Sequence, residues 1–203
     1  MKLFYAPGAC SLASHIALEE AGLKFEIARV NLRTKQLTDG SDYRQIQPFG
    51  YVPALQLKNG EVLTEGPAIL QYIADQAPGA ALAPVNGSFA RYRLQSALNF
   101  IGTELHKNFS PLFDPSTVDA AKDAARARLD LRLTQLQESM SDQPFMLGDQ
   151  FTIADAYLFV CLNWSGLVGY DLSKFDKLTA YVARVAQRPS VQAAMRAEGL
   201  IKN

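Results

Sequence analysis

Alternating, strand-like patterning is confined to residues 2–63 of this 203-residue chain, and beyond residue 87 every periodic segment repeats at helical spacing. A chain patterned in this way must build one α/β layer and one all-helical bundle. The apolar strand Lys2-Leu3-Phe4-Tyr5 turns through Ala6-Pro7-Gly8-Ala9 into an amphipathic helix opening at Ser11 and ending near Gly22, and Phe25 to Val30 reads as a second strand. That β-α-β order makes the two strands parallel. Residues 31–49 are polar and weakly periodic, with an irregular helix expected over Ser41 to Gln45. Ala54 to Leu57 and Glu61 to Leu63 flank Lys58-Asn59-Gly60, a strong hairpin signal, and Thr64-Glu65-Gly66-Pro67 opens a helix with proline at a favoured first position. The expected first domain, 1–80, is therefore βαβ-ββα around a mixed four-stranded sheet.

The stretch from Gln76 to Gly87, rich in Pro, Gly and Ala, breaks every period, and residues 81–87 read as a linker. Residues 88–203 form the expected all-α domain. Its helices run from Ser88 to about Phe109, Ser116 to about Met140, Thr152 to about Val168, Asp176 to Gln187, and Pro189 to Glu198. Thr152-Ile153-Ala154-Asp155 is a capping-box variant with Asp in place of Glu or Gln, so Thr152 and Asp155 are read as structural.

Lys plus Arg and Asp plus Glu both number 20, a balance that does not suggest a nucleic-acid partner. No apolar run reaches membrane-spanning length, and Pro7 and Gly8 interrupt the N-terminus before a signal-length run forms, so a cytoplasmic protein without a membrane partner is expected. The length suffices for a core without disulfide or metal staples, and no metal site is expected. Of two cysteines, Cys161 lies in the apolar run Tyr157 to Leu162 and reads as a core thiol. Cys10 stands where the first helix begins, and a helix N-terminus lowers a thiol's pKa and favours the thiolate. Its alternative is a packed small hydrophobe. Ala13 occupies the position where a Cys-x-x-Cys motif needs its second thiol, so no local resolving cysteine exists.

Val52-Pro53 directly before a strand is physically unusual, because proline cannot donate to a ladder. A cis bond there turns the Val52 backbone outward, leaving it to pair with an extended peptide-like ligand. Together, Ala6-Pro7-Gly8-Ala9-Cys10-Ser11-Leu12, Gly50-Tyr51-Val52-Pro53-Ala54-Leu55, Leu63 through Ile69 and Asn99 through Lys107 make the chain resemble the glutathione transferases, most closely the bacterial beta class. The resemblance covers essentially the whole chain. It implies a thioredoxin-like N-terminal domain, a homodimer, and conjugation of glutathione to small, largely apolar electrophiles. Glutathione would be a co-substrate, with no separate cofactor, and Cys10 would add thiol-disulfide exchange with possible glutaredoxin-like or peroxidase side activity.

The resemblance also implies residue roles. Cys10 and His106 are the catalytic candidates. Glutathione contacts fall to Cys10, Val52 (cysteinyl backbone), Gly66 (γ-glutamyl carboxylate), Glu65 (ammonium), Lys35 (glycyl carboxylate), His106, Asn99 and Thr103, the last two partly across a dimer interface. An anion at a helix N-terminus is a natural fit for Gly66. Asn99, Thr103 and His106 share one helical stripe by spacing, and a histidine with pKa near 6.5 can exchange protons with a thiol around neutrality. Second-substrate candidates are Ala9, Phe109, Phe113 and Trp164. Pro53 is read as structural. Tyr5 and Ser11 remain alternatives for holding the glutathione thiolate, and His15 reads as scaffold. The alternative function is a non-catalytic ligand-binding or interaction protein on the same fold.

Overall fold

The computed structural model describes residues 1–140 and 142–202. Contacts group the chain into two compact units, Met1–Ala83 with Gln187–Asn203, and Pro84–Ala186. The sequence pattern assigns 189–198 to the helical half, whereas the contacts of that helix place it in the first unit.

In the first unit, β1 (Lys2–Tyr5), β2 (Glu26–Asn31), β3 (Gln36–Leu37), β4 (Ala54–Gln56) and β5 (Val62–Thr64) form one sheet in the order β3-β2-β1-β4-β5. β1 runs parallel to β2, from Lys2 opposite Glu26 to Tyr5 opposite Arg29, and antiparallel to β4. The Asn59-Gly60 hairpin forms as expected, with Leu57 N–H donating to Glu61 O at 2.8 Å and Gly60 at φ 90°. The sheet has five strands rather than the expected four. The extra one is the two-residue β3, which folds back on Val30 and Asn31 and is too short to leave a periodic signal.

Phe4 and Ala6, on one face of β1 by alternation, join Val30, Tyr43, Val52 and Ala54 in a buried cluster. The first helix, α1 (Ser11–Glu20), is buried at every residue from Ser11 to Leu18, not along one stripe as an amphipathic helix would be. α2 (Gly66–Gln76) and α8 (Pro189–Ala197) both pack on it, so the helix is covered from two sides. Burying Leu12, Ile16 and Leu18 contributes about 1.5–3 kcal/mol each. Arg188 and Ser190, at the start of α8, both hydrogen-bond the Glu20 carboxylate.

The second unit contains α3 (Phe89–Phe100), a π-helical segment Ile101–His106, α4 (Lys107–Phe113), α5 (Asp119–Ser139), α6 (Ile153–Leu167) and α7 (Asp176–Ala186). Ser88 caps α3, its hydroxyl accepting from Arg91 N–H at 3.2 Å. α5 buries Ala125, Leu129, Leu133 and Leu136, one stripe at spacings of four and three. α6 is the central helix, buried from Ile153 to Leu162. Its capping box is present: Asp155 accepts from the Thr152 N–H at 2.8 Å and the Thr152 hydroxyl at 2.9 Å. The carboxylate also accepts from Met146 N–H at 2.8 Å and the Tyr181 hydroxyl at 2.9 Å, so it ties the preceding loop and α7 to α6. Burial pushes the Asp155 carboxyl above the usual carboxylate range, while those four donors pull it the other way.

Candidate active site

The turn from β1 into α1 sets the position of Cys10. Ala6 N–H donates to Ser11 Oγ at 3.2 Å and the Ser11 hydroxyl donates back to Ala6 O at 3.3 Å, closing the turn on itself. Ser11 is fully buried, so its hydroxyl belongs to the scaffold and is turned away from solvent. Cys10 is the N-cap residue of α1, half-buried, and its thiol donates to the Val52 carbonyl at 3.2 Å. The Val52-Pro53 bond is cis, as expected from the sequence. Ala9, the residue before the cysteine, packs against the Phe4 cluster. Tyr5 is buried on the neighbouring strand with its ring 6.1 Å from that of His15, and burial, helped by Glu198, raises its phenol pKa.

The approach to Val52 is braced from below and from the side. The fully buried Tyr43 donates its hydroxyl to Tyr51 O at 2.9 Å, and burial pushes that phenol far up. Lys35, at φ 59°, donates from Nζ to Gly50 O at 2.9 Å and lies over the Tyr51 ring. Its stem crosses Gly50 so closely that a Cβ there would sit 2.7 Å from Lys35 Cδ, and Gly50 itself adopts φ 65°. Only glycine fits both demands without strain. Glu65, exposed and at φ 67°, is the N-cap of α2, and Gly66 begins that helix beside Pro53. Cys10, Lys35, Val52, Pro53, Glu65 and Gly66 therefore all belong to the first unit.

Asn99, Thr103, His106, Phe109, Phe113 and Trp164 belong to the second unit. The expected continuous helix from Ser88 to Phe109 is interrupted, because residues 101–106 take the wider i→i+5 turn. That widening splits the expected stripe. Asn99 and Thr103 are exposed, with the Thr103 hydroxyl donating to Asn99 O at 3.0 Å, whereas His106 is swung toward α6 and mostly buried. His106 Nδ1 lies 2.6 Å from the Tyr157 hydroxyl, and its ring meets the Trp164 edge at 4.8 Å. Burial, with a smaller push from Lys107, lowers the His106 pKa to about 4, so the ring is neutral at neutral pH. The expectation from sequence is a histidine titrating near neutrality, and burial shifts the ring below that range. Phe109 has no exposed surface and packs between Trp164 and Tyr170, which makes it core rather than a pocket wall. Phe113 is 46% exposed and edges onto Trp164 at 5.6 Å, so it is the aromatic candidate with surface to offer.

Two family descriptions match the two halves: glutathione S-transferase, N-terminal domain, over residues 8–76, and glutathione S-transferase, C-terminal domain, over residues 100–189. Glutathione S-transferase GstA of Escherichia coli O157:H7 is 50% identical over 201 residues, covering 98% of this chain and all of that one. The chain belongs to the glutathione S-transferase family. A beta-class glutathione S-transferase of Sphingomonas chungbukensis superposes with a TM-score of 0.96 at 52% identity, over 99% of this chain and all of that one. A sphingomonad glutathione S-transferase solved with glutathione gives 0.95 at 50%, with the same coverage. The protein is thus a bacterial beta-class glutathione transferase, an enzyme that conjugates glutathione to electrophiles.

This transferase carries site residues that its sequence did not announce. Glu198, just past α8, has a buried carboxylate whose Oε2 accepts from Gly8 N–H at 3.0 Å and whose Oε1 lies 2.9 Å from His15 Nδ1. It thereby fixes the turn that carries Cys10 and the helix behind it. Leu200 backs the same turn, with its Cδ2 3.4 Å from where a Gly8 Cβ would stand. Tyr157, read from the sequence as part of an apolar run, places its hydroxyl 2.6 Å from His106 Nδ1. None of these pairings leaves a local pattern, since the partners are separated by as many as 190 residues.

Proposed function

We propose that this glutathione transferase reacts through a centre built on Cys10 and the backbone of Val52, with Lys35, Glu65 and Gly66 holding the ends of the tripeptide. The observation that carries this reading is the Cys10 thiol against the Val52 carbonyl at the head of α1. A peptide-like ligand pairing with Val52 brings its own sulfur to that helix N-terminus, where partial positive charge favours thiolate. Gly66 N–H, at the head of α2, suits the γ-glutamyl carboxylate, and the exposed Glu65 suits its ammonium.

In conjugation, the glutathione thiolate forms a C–S bond with the electrophilic carbon, the bond to the leaving group breaks, and the thiol proton passes to solvent. In exchange, the Cys10 thiolate attacks a glutathione disulfide, leaving Cys10 disulfide-bonded to glutathione and releasing the other thiolate. A second glutathione then resolves the mixed disulfide, because Ala13 stands where a local resolving thiol would be. The neutral His106 ring is oriented by its hydrogen bond with the Tyr157 hydroxyl at Nδ1. In this reading it contributes as a neutral ring rather than by titrating.

The protein acts in the cytoplasm as a homodimer in this reading. The exposed Asn99 and Thr103 support it, as polar groups kept on a helix face suited to an isologous contact. No helix among the described residues is long and apolar enough to cross a membrane. The decisive experiment is mass spectrometry of the non-reduced protein after oxidised glutathione, with and without Cys10→Ala. One added glutathione, removed by reductant and absent in the variant, is expected; an adduct on the variant refutes the assignment. Sedimentation giving the single-chain mass would refute the dimer.

A further inference from the structure

The first unit holds a cavity of about 610 Å³ where β1 gives way to Ala6 and Pro7 and β2 runs into residues 31–38. That volume lies within the range of small-molecule sites. Two arginines, Arg29 and Arg33, line it, and no acidic residue does. Both are exposed, and neither guanidinium is held by a carboxylate among the described residues. Residues 27–38 contain Arg29, Arg33 and Lys35 and not one Asp or Glu, in a chain whose formal net charge is zero. The rest of the lining supplies neutral donors at Asn31 and Gln36 and apolar surface at Pro7 and Leu32. Asn31 is held in place, its Oδ1 accepting from Arg33 N–H at 3.0 Å and Thr34 N–H at 3.2 Å, so the backbone carrying Arg33 is fixed at the cavity rim.

We propose that this cavity binds a small organic anion with an apolar body, held by Arg29 and Arg33, and that in catalysis it seats the acidic substituent of the electrophile. Guanidinium forks pair with carboxylate and sulfonate groups bidentately, and the apolar lining accepts an aromatic or aliphatic body. Pro7 belongs both to the cavity and to the turn that delivers Cys10 three residues later, which places the anion beside the turn that carries the reacting sulfur. The cavity thereby selects among electrophiles, favouring carboxylated ones over neutral ones of the same reactivity. The catalytic half of this inference rests on the transferase reading; the binding half does not.

The test pairs 4-chloro-3-nitrobenzoate with 1-chloro-2,4-dinitrobenzene as substrates, and 3-nitrobenzoate with nitrobenzene as unreactive ligands. With either substrate a C–S bond replaces the C–Cl bond and chloride leaves. For Arg29→Gln and Arg33→Gln, the kcat/KM ratio of carboxylated to neutral substrate should fall about tenfold each relative to the unsubstituted enzyme, the loss expected for one charged hydrogen-bonding partner. Calorimetric affinity for 3-nitrobenzoate should fall in parallel and weaken with added salt, whereas nitrobenzene binding should not depend on salt. Because both side chains are exposed, melting temperatures verify that the variants are folded. An unchanged substrate ratio, or 3-nitrobenzoate binding equal in wild type and both variants, overturns the proposal. If the enzyme turned over neither substrate, the transferase reading would fail while the calorimetry still judged the cavity.

Discussion

His106 offers a direct measurement of how strongly the second unit shields one side chain. The ring is packed against Trp164 at 4.8 Å and Tyr157 at 5.9 Å, and burial lowers its pKa to about 4. Against the unperturbed value near 6.5, that gap amounts to about 3 kcal/mol of preference for the neutral ring. The sign follows from proton uptake: between about 4 and 6.5 the unfolded chain binds a proton at this position that the folded chain refuses. Stability contributed by His106 is therefore present above 6.5 and lost as pH falls toward about 4. With two histidines in the chain, ring carbon-proton NMR resolves both, and His106→Gln assigns them. The His106 signal is expected to stay in its neutral position down to about pH 5. Urea unfolding should lose about 3 kcal/mol between pH 6.5 and 4 in excess of what His106→Gln loses. A His106 signal titrating at pH 6 or above, or identical pH slopes in the two proteins, would refute the burial reasoning and restore a titrating catalytic base.

Three further substitutions follow from the contacts. Asp155→Ala strands the Thr152 and Met146 N–H groups, while the Tyr181 hydroxyl keeps the Asp155 carbonyl, so a loss of about 2–4 kcal/mol by urea unfolding is expected, from about 1–3 kcal/mol per buried orphan with partial rescue by water; a loss under about 1 kcal/mol contradicts it. Glu198→Ala removes the buried carboxylate that Gly8 N–H donates to and that lies against His15 Nδ1, and should cost about 3 kcal/mol and loosen the turn bearing Cys10, read as faster hydrogen exchange at Gly8. Exchange unchanged at Gly8 would mean that Glu198 does not hold the turn. Gly50→Ala meets Lys35 Cδ at 2.7 Å in a left-handed backbone, so glutathione affinity should drop several-fold along with about 1–2 kcal/mol of stability; unaltered affinity would separate Lys35 from the glycyl carboxylate.

What could be read in advance follows the range of the forces involved. β1, the Asn59-Gly60 hairpin, the opening of α2 at Gly66-Pro67 and the Thr152-Asp155 box were legible because each is decided within a few residues by alternation, positive φ or capping. β3 was not, since two residues cannot display a period and their pairing depends on the loop folding back. The π turn at Ile101–His106 brings His106 against Tyr157 of α6 while Asn99 and Thr103 stay exposed, which spacing along an ideal helix misses. Cys10, Val52 and Pro53 came from sequence as a set. Glu198 did not, because its meaning lies in Gly8 and His15, far away along the chain.

The return of α8 to α1 also fixes an order in time. Residues 84–186 form a contiguous unit that is encoded whole before the partners of Glu20, His15 and Gly8, which the first unit needs, are reached. The later-encoded unit is finished earlier. Until the residues beyond 186 fold back, α1 keeps an apolar flank uncovered and the turn bearing Cys10 lacks its Glu198 contact. A chain truncated after residue 186 should thus bind chaperones through its first eighty residues, with residues 84–186 already protease-resistant.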